Sequence, residues 1–193
     1  LSANELYPFF EQLLALYGPQ GWWPLLGYGD SNPAATGVLG GYHPGEYAFP
    51  RDEREQFEIC VGAILTQNTA WANVEKALSR LRAAGALQPG GPGGVTDGAL
   101  AELIRPSGYF NVKARKLKVF DAFYQRLGGR VVDRQELLGL WGVGPETADS
   151  MLLYAFGVPE FVVDAYTRRV LAARGLVPLA IGYEDLKAYC VAR

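Results

Sequence analysis

Hydrophobic residues recur with a period near 3.6 along almost the whole chain, and no segment shows the alternation of a half-buried β-strand. The first apolar face follows Ser2 and Glu5, whose spacing is typical of a capping box at a helix start. Later faces predict helices that begin at or near Asp52, Thr69, Asp97, Asn111, Asp133, Pro145, Asp164 and Tyr183. The pattern therefore predicts an all-α protein of roughly nine or ten helices.

Between the first two predicted helices, residues 18–48 contain eight glycines and four prolines. A loop of this length inside a compact domain is usually functional or disordered. Its aromatic residues, among them Trp22 and Trp23, argue against disorder, because aromatic side chains are scarce in disordered segments. We therefore expect an ordered, irregular segment with a functional role.

The net charge of −2 is not typical of a nucleic-acid-binding protein, but the charges are unevenly distributed. Residues 105–134 include eight lysines and arginines against two aspartates, an excess of six, so the rest of the chain carries a net charge of −8. This segment is either a local phosphate-binding stripe or a solvated helix face. One histidine, His43, which we expect to be incidental, and two distant cysteines indicate no zinc site, catalytic triad or disulfide framework.

The segment 139–148, Gly-Leu-Trp-Gly-Val-Gly-Pro-Glu-Thr-Ala, predicts a tight turn between two helices. Proline suits the first position of a helix, so the second helix begins at Pro145. Gly142 and Gly144 permit positive φ and a close approach of the backbone. The N–H groups of such a turn, at the positive end of a helix, suit a phosphate ligand. The alternative is an ordinary turn with no ligand.

Three further motifs lie in order around this turn: Ala-Ile-Leu-Thr-Gln-Asn-Thr at 63–69, Ile-Arg-Pro-Ser-Gly-Tyr-Phe-Asn-x-Lys-Ala at 104–114, and Val-Val-Asp at 162–164 followed by Arg-Arg-Val at 168–170. With the turn, they resemble the endonuclease III superfamily of helix-hairpin-helix (HhH-GPD) DNA glycosylases over residues 57–171. The resemblance implies two helical lobes around a DNA- and base-binding cleft. Residues 50–157 would carry the hairpin, and residues 1–49 with 158–193 would carry the catalytic aspartate. It also implies that Gly142, Val143 and Gly144 bind a DNA phosphate and that Asp164 is catalytic.

The chemistry of base release agrees with a carboxylate at Asp164. Breaking an N-glycosidic bond builds positive charge on the deoxyribose, and a nearby carboxylate stabilises that charge and can activate water. Asp164 also stands at a predicted helix start, where aspartate is a common N-cap. Capping alone is the alternative, although both roles can coexist.

Bifunctional relatives carry a lysine two residues beyond the second hairpin glycine, and this lysine forms a Schiff base with the sugar. Here that position is Glu146, which cannot form an imine, so the sequence predicts a monofunctional enzyme without lyase activity. Many relatives also bind an iron–sulfur cluster through four closely spaced cysteines, whereas Cys190 has no neighbouring cysteine. We expect no cluster and no other metal or cofactor, apart from a monovalent cation that the hairpin could bind.

Glu146 and the tryptophans resemble, more narrowly, the endonuclease III-like 3-methyladenine DNA glycosylases. This likeness assigns Trp22, Trp23, Pro24 and Trp71 to a base pocket. A 3-methylated adenine is cationic, so an electron-rich indole would attract it with about 1–2 kcal/mol when desolvated. Packing of the tryptophans in the core between the lobes is the alternative.

The same resemblance predicts how the protein would open a duplex. Gln67 or Asn68 would fill the gap left by the flipped base, and Tyr109 would wedge the opposite strand. Lys113 and Lys116 would contact phosphates, although surface lysines of no special role are the alternative.

The predicted function is therefore base excision repair by a monomeric, cytoplasmic, nucleoid-associated glycosylase that acts on double-stranded DNA with a damaged, alkylated purine. It would have no association with a membrane. Two alternatives remain: an endonuclease III-like glycosylase for oxidised pyrimidines or mismatched adenine, and a helix-hairpin-helix DNA-binding protein without activity.

Overall fold

The computed structural model describes residues 6–19, 23–29 and 40–192. Within these ranges the chain forms α-helices and no β-strand, so the predicted all-α class is confirmed. The helices are α1 (Leu6–Tyr17), α2 (Glu53–Leu65), α3 (Trp71–Ala83), α4 (Asp97–Leu103), α5 (Phe110–Leu127), α6 (Arg134–Leu138), α7 (Pro145–Ser150), α8 (Ala165–Ala173) and α9 (Tyr183–Val191). A 3₁₀-helix covers Arg105–Ser107, and every helix of the described part is too short or too polar to cross a lipid bilayer.

Helix starts follow the caps that the sequence predicts. Asp52 accepts hydrogen bonds from two backbone N–H groups at the start of α2. Asp133 and Glu136 form a reciprocal capping box at α6. These side chains satisfy N–H groups that a helix leaves without partners in its first turn. The capping box expected at Ser2 and Glu5 lies outside the described residues.

The helix predicted from Pro145 to Phe156 changes its geometry halfway. The α-helical part ends at Ser150, and Met151–Ala155 continue as a π-helical turn. A π-helical turn adds a residue to the winding and rotates the side chains that follow, and such turns are frequent at functional sites. The apolar spacing alone does not distinguish this turn from a regular helix.

Two hydrophobic cores divide the described chain into two lobes. The first lobe, residues 23–29 and 40–158, surrounds α2, which is buried on all sides from Phe57 to Leu65. The second lobe, residues 6–19 and 159–192, packs Val163, Leu171 and Leu186 against one face of α1.

The predicted boundary at residue 49 is corrected by this packing. Trp23 and Leu25 belong to the first core, and Phe49 packs against it. Glu58 on α2 holds this segment, since its carboxylate accepts a 2.6 Å hydrogen bond from the N–H of Leu26. The irregular segment therefore packs against the first lobe where it is described.

A buried ionic network joins the two lobes. Asp149 on α7 has no exposed surface, and its carboxylate accepts hydrogen bonds from Arg134 at 2.6 Å and from Lys187 and Tyr183 at 2.8 Å each. Arg134 belongs to α6 of the first lobe, whereas Tyr183 and Lys187 lie on α9 of the second. The network therefore fixes α7, and with it the hairpin, relative to the second lobe.

Candidate active site

Asp164 stands at the N-cap of α8, directly after the buried Val163 of the second core. Its Oδ1 accepts hydrogen bonds from the backbone N–H of Thr167 at 2.7 Å and from its hydroxyl at 2.8 Å. No donor among the described residues reaches Oδ2. The capping role considered from the sequence is therefore present, and it leaves one carboxylate oxygen open for another partner.

Glu146, in the first turn of α7, lies at the exposed edge of the same site. Partial burial by the surrounding side chains and the negative charge of Asp164 raise the pKa of Glu146, while the positive charge of Arg168 opposes the shift. These three side chains come from the two lobes and interact electrostatically across the cleft. Their formal net charge is −1, counted as two carboxylates and one guanidinium.

Arg168 contributes a guanidinium to this site. Its Nε is buried and donates to no acceptor in the described part of the chain. Burying a donor without an acceptor costs about 1–3 kcal/mol, which is unusual in a folded protein. The resemblance motif contained Arg168, but the sequence did not predict that it would approach Glu146.

A cavity of about 200 Å³ opens between the irregular segment and the π-helical turn. This is smaller than the roughly 300–1,000 Å³ of pockets for drug-sized ligands, so a single flat ring system suits it better. It is lined by Trp23, His43, Glu46, Phe49, Ile59, Leu153 and Tyr154. A larger cavity of about 400 Å³ over residues 84–95 has no charged side chain in its lining.

Tyr154 connects this cavity to the carboxylate. Burial and the negative charge of Asp164 raise the pKa of Tyr154 to about 12, so the phenol stays protonated at neutral pH. Its ring packs 5.5 Å from that of Trp23. Sequence reasoning missed Tyr154, because an aromatic residue at helical spacing looks like any core residue until the π-helical turn is known.

Two of the predicted base-pocket residues meet in the structure. The rings of Trp23 and Trp71 make an edge-to-face contact at 5.2 Å, with Trp23 forming one wall of the cavity and Trp71 packed behind it. Both also belong to or pack against the first core, so the core-packing alternative holds at the same time. Trp22 lies outside the described residues.

Pro24 is buried in the first lobe and takes no part in lining the cavity. His43, expected to be incidental, does line it. Its ring stacks on Phe49 at 4.0 Å, and its Nε2 lies 2.9 Å from the carbonyl oxygen of Trp23. The base-pocket role of Pro24 and the incidental role of His43 stay predictions.

The glycines of the hairpin between α6 and α7 were predicted to permit positive φ, and one of the two adopts it. Gly142 adopts φ +90°, the left-handed region, whereas Gly144 is exposed and extended at φ −98°. In the described part of the chain no acceptor engages the N–H of either glycine. Val143 differs, because its N–H donates to the Leu140 carbonyl at 3.1 Å and its side chain is buried. The predicted phosphate contact of Val143 is corrected for that reason.

Gln67 is fully engaged by the hairpin. Its Nε2 donates to the carbonyl of Gly142 at 3.1 Å and to the Thr147 hydroxyl at 3.0 Å. Its Oε1 accepts from the ammonium of Lys116 at 2.5 Å. The gap-filling role of Gln67 is corrected, since it would require breaking all three bonds. The predicted contact of Lys116 with a phosphate stays a prediction.

Asn68 and Tyr109 remain as the two candidate wedge residues. Both are exposed, and both adopt left-handed backbone conformations, with φ +52° and +47°. Such values are uncommon for residues other than glycine and cost free energy that surrounding contacts must supply. Each side chain thus stands at the tip of its own loop.

Most lysines and arginines of residues 105–134 already have partners within the protein, so fewer of them can bind DNA phosphates than the charge of the segment suggests. Lys113 is 2% exposed and donates to three protein oxygens, so its predicted contact with a phosphate is corrected. Four other basic residues of the segment are paired with carboxylates: Arg105, Lys118, Arg130 and Arg134.

Arg115 retains an exposed cation and was not singled out from the sequence. It lies over the ring of Trp141 at 4.4 Å, and Trp141 immediately precedes Gly142 in the hairpin. Arg115 and Lys116 thus place positive charge beside the hairpin.

The two cysteines of the chain are far apart in the structure. Cys60 is buried in the first core and Cys190 in the second, and both are free thiols. Burial raises the pKa of the Cys60 thiol, which disfavours the thiolate that a metal requires. Within the described ranges, His, Cys, Asp and Glu side chains form no group of three or more that could hold a metal ion.

Comparison with known proteins extends this description. Residues 61–190 match the family described as "HhH-GPD superfamily base excision DNA repair protein". A protein of Methanocaldococcus jannaschii named as a candidate DNA repair glycosylase is 36% identical over 193 residues, covering 94% of this chain and 75% of that protein.

Among solved structures, the Helicobacter pylori 3-methyladenine DNA glycosylase MagIII bound to 1,N⁶-ethenoadenine is 26% identical, with a TM-score of 0.72, over 100% of this chain and 81% of its own. Endonuclease III trapped on DNA has a TM-score of 0.76 at 22% identity, over 100% of this chain and 78% of its own, which shows a shared fold. The chain belongs to the HhH-GPD superfamily of base excision DNA repair proteins.

Proposed function

We propose that this protein is a monofunctional DNA glycosylase that releases an alkylated purine such as 3-methyladenine and leaves an abasic site. The observation that carries the proposal is Glu146, which stands beside Asp164 where bifunctional relatives have a lysine. A carboxylate cannot form a Schiff base, so the attacking group has to be water.

The chemistry assigned to Asp164 is electrostatic. As the N-glycosidic bond breaks, its electron pair leaves with the base and positive charge develops on the sugar. The open Oδ2 of Asp164 stabilises that charge, while Thr167 holds Oδ1 in place. Water then adds to the sugar carbon, and Asp164 or the solvent takes the proton.

The charge and shape of the site support a cationic purine. The net charge of −1 from Glu146, Asp164 and Arg168 favours a positive ring over a neutral one. Trp23 and Tyr154 offer aromatic faces in a cavity sized for one ring system, and an indole face attracts a desolvated cation by up to about 2 kcal/mol. A methylated purine leaves as a neutral base, so the site needs no acid to protonate it.

The DNA would lie along the hairpin and the two strained loops. Gly142 and Gly144 offer open N–H groups, and Arg115 and Lys116 add positive charge beside them. Asn68 and Tyr109 would enter the duplex where the damaged nucleotide leaves it. We propose that this machinery works without an iron–sulfur cluster, as a monomer.

The decisive experiment identifies the released base by mass spectrometry after incubation with methylated duplex DNA. We expect free 3-methyladenine and intact abasic strands. Asp164→Asn should reduce release by at least about a hundredfold while duplex binding stays unchanged, because asparagine is an equally good N-cap. An active Asp164→Asn protein would refute the role of this carboxylate.

The same assay separates the alternatives. Release of an oxidised pyrimidine with strand cleavage, or of adenine from a mismatch, would assign the chain to an endonuclease III-like activity instead. Binding to duplex DNA without release of any base would make it a non-catalytic binder. Each outcome contradicts the proposed substrate.

A second variant tests the monofunctional part by restoring the lysine. Glu146→Lys should form an adduct with abasic DNA that borohydride traps, because it places an amine beside Asp164 at the position where bifunctional relatives have a lysine. The unmodified protein should give no adduct. A trapped adduct with the unmodified protein would show that another amine performs lyase chemistry.

A further inference from the structure

Lys113 on α5 is a cation buried among neutral oxygens. Its Nζ donates to the carbonyl of Leu65 at 2.8 Å, to the hydroxyl of Thr69 at 2.7 Å and to the carbonyl of Ser107 at 2.7 Å. None of the three acceptors carries a negative charge. Burial, together with the positive charge of Lys116, lowers the pKa of Lys113 to about 8. Such a cation is costly to bury, so its retention requires an explanation.

Two of the three oxygens are carbonyls at helix ends that point at one place, and the third is the side-chain hydroxyl of Thr69 in the loop after α2. Leu65 is the last residue of α2, and Ser107 is the last residue of the 3₁₀-helix. Carbonyl groups at a helix end lack partners within the helix and form the negative end of its dipole. An ammonium group has three donors on a tetrahedral centre, which matches three oxygens arranged as a tripod.

Each of these helix ends leads directly into a loop with a candidate wedge residue at its tip. The loop after α2 carries Asn68, and the 3₁₀-helix leads through Gly108 to Tyr109. The Thr69 hydroxyl also donates to the carbonyl of Ser107, so the two loops are bonded to each other as well as to Lys113.

We propose that Lys113 is a positioning residue that clamps the two loops together and thereby sets the spacing of Asn68 and Tyr109 for entry into the DNA duplex. This rests on the proposed function, since it assumes that the two side chains penetrate a duplex. The clamp also accounts for the left-handed backbones at both tips, because the bonds beneath them supply the free energy that holds these conformations.

The test removes the ammonium and keeps the length of the side chain. Lys113→Met loses all three bonds, whereas Lys118→Met on the same helix loses the same charge and only the surface ion pair with Asp97. The first readout is fluorescence of 2-aminopurine placed beside the lesion in duplex DNA at saturating protein, which reports unstacking without any chemistry. We expect the 2-aminopurine fluorescence to rise when the unmodified protein or Lys118→Met binds the duplex. With Lys113→Met the fluorescence should not rise.

The second readout compares base release from duplex and single-stranded DNA in single-turnover experiments. A single strand needs no wedge, so Lys113→Met should slow release from the duplex by about ten- to a hundredfold and release from the single strand by less than about threefold. Equal slowing on both substrates would overturn the proposal, because it would indicate general damage to the site.

A double-mutant cycle shows whether Lys113 acts through the wedge. In a Tyr109→Ala background, Lys113→Met should cost much less than it does alone, since the residue that it positions is already absent. Full additivity would contradict the proposal. Thr69→Val removes only the bridging hydroxyl, so it should slow base release from the duplex selectively, but less than Lys113→Met does. This variant replaces Lys113→Met in the test if Lys113→Met does not fold.

Failure of the proposed function is distinguishable from failure of the clamp. If the unmodified protein releases no base but unstacks the duplex, and Lys113→Met abolishes the unstacking, the clamp stands and the glycosylase activity does not. If the unmodified protein does not unstack the duplex, the clamp proposal is wrong.

Discussion

Replacing each hairpin glycine by alanine separates the structural role of the turn from its role in binding. A Cβ at Gly142 would lie 2.6 Å from Cγ of Lys116 and 2.7 Å from its Cδ and Cε, and φ there is +90°. The left-handed backbone alone costs a non-glycine residue about 1–3 kcal/mol. Displacing Lys116 also breaks its hydrogen bond with Gln67, a further 1 kcal/mol or so. Gly142→Ala should therefore destabilise the fold by about 2–4 kcal/mol.

Gly144→Ala is the matched control. A Cβ at Gly144 meets no protein atom within 4 Å, and its φ of −98° suits any residue. The added methyl group points into open space, so only an incoming ligand would meet it. We expect a stability change within about 0.5 kcal/mol, together with about a tenfold loss of affinity for duplex DNA if a phosphate approaches this backbone, since tenfold corresponds to about 1.4 kcal/mol.

Both variants are measured by urea denaturation and by fluorescence anisotropy with a labelled duplex at fixed salt, because phosphate contacts depend on ionic strength. For a chain of this size, the predicted loss at Gly142 corresponds to about 4–16 °C in Tm. If Gly144→Ala binds duplex DNA as tightly as the unmodified protein, the hairpin backbone does not contact the phosphate. If Gly142→Ala is fully stable, the strain argument is wrong.

Two further predictions concern the charged groups that join the lobes. Burial raises the pKa of Asp149, but the hydrogen bonds from Arg134, Lys187 and Tyr183 outweigh it and lower that pKa overall. Asp149→Asn should therefore cost about 3–5 kcal/mol at neutral pH, and the advantage of the unmodified protein in urea titrations should disappear as pH falls below about 4. For Glu146 the sign is opposite, because burial and Asp164 raise its pKa and its ionised form destabilises the fold. Glu146→Gln should raise Tm slightly at about pH 8 and lose this gain near pH 4; an unchanged difference across this range would refute the coupling.

Local patterns predicted the parts of this protein that depend on neighbours in sequence. The helices, the caps at Asp52 and Asp133 and the turn at Gly142 all follow from residues within a few positions of one another. The family motifs added the location of Asp164. In the described part of the irregular segment, Trp23 and Leu25 are buried in the first core, as its aromatic residues indicated.

The corrections for Lys113 and Gln67 concern polar side chains whose partners are distant in sequence. Lys113 was assigned to the surface, but its acceptors at Leu65 and Ser107 can be identified only once two helix ends are known to converge. Gln67 was assigned to the DNA, but it is bonded to the hairpin 75 residues away. No periodicity in the sequence encodes these contacts, because each long polar side chain can reach many alternative partners.

The electrostatic arrangement of the candidate site likewise depends on the packing of the lobes. Glu146 belongs to the first lobe and Asp164 to the second, so their mutual repulsion exists only because α7 is held against α9. Asp149, one turn beyond Glu146, provides that connection through Tyr183 and Lys187. A buried ionic network rarely stabilises more than well-packed hydrophobic residues would, but its geometry is specific. The network is therefore better explained as a device that sets the position of Glu146 relative to Asp164 than as a source of stability.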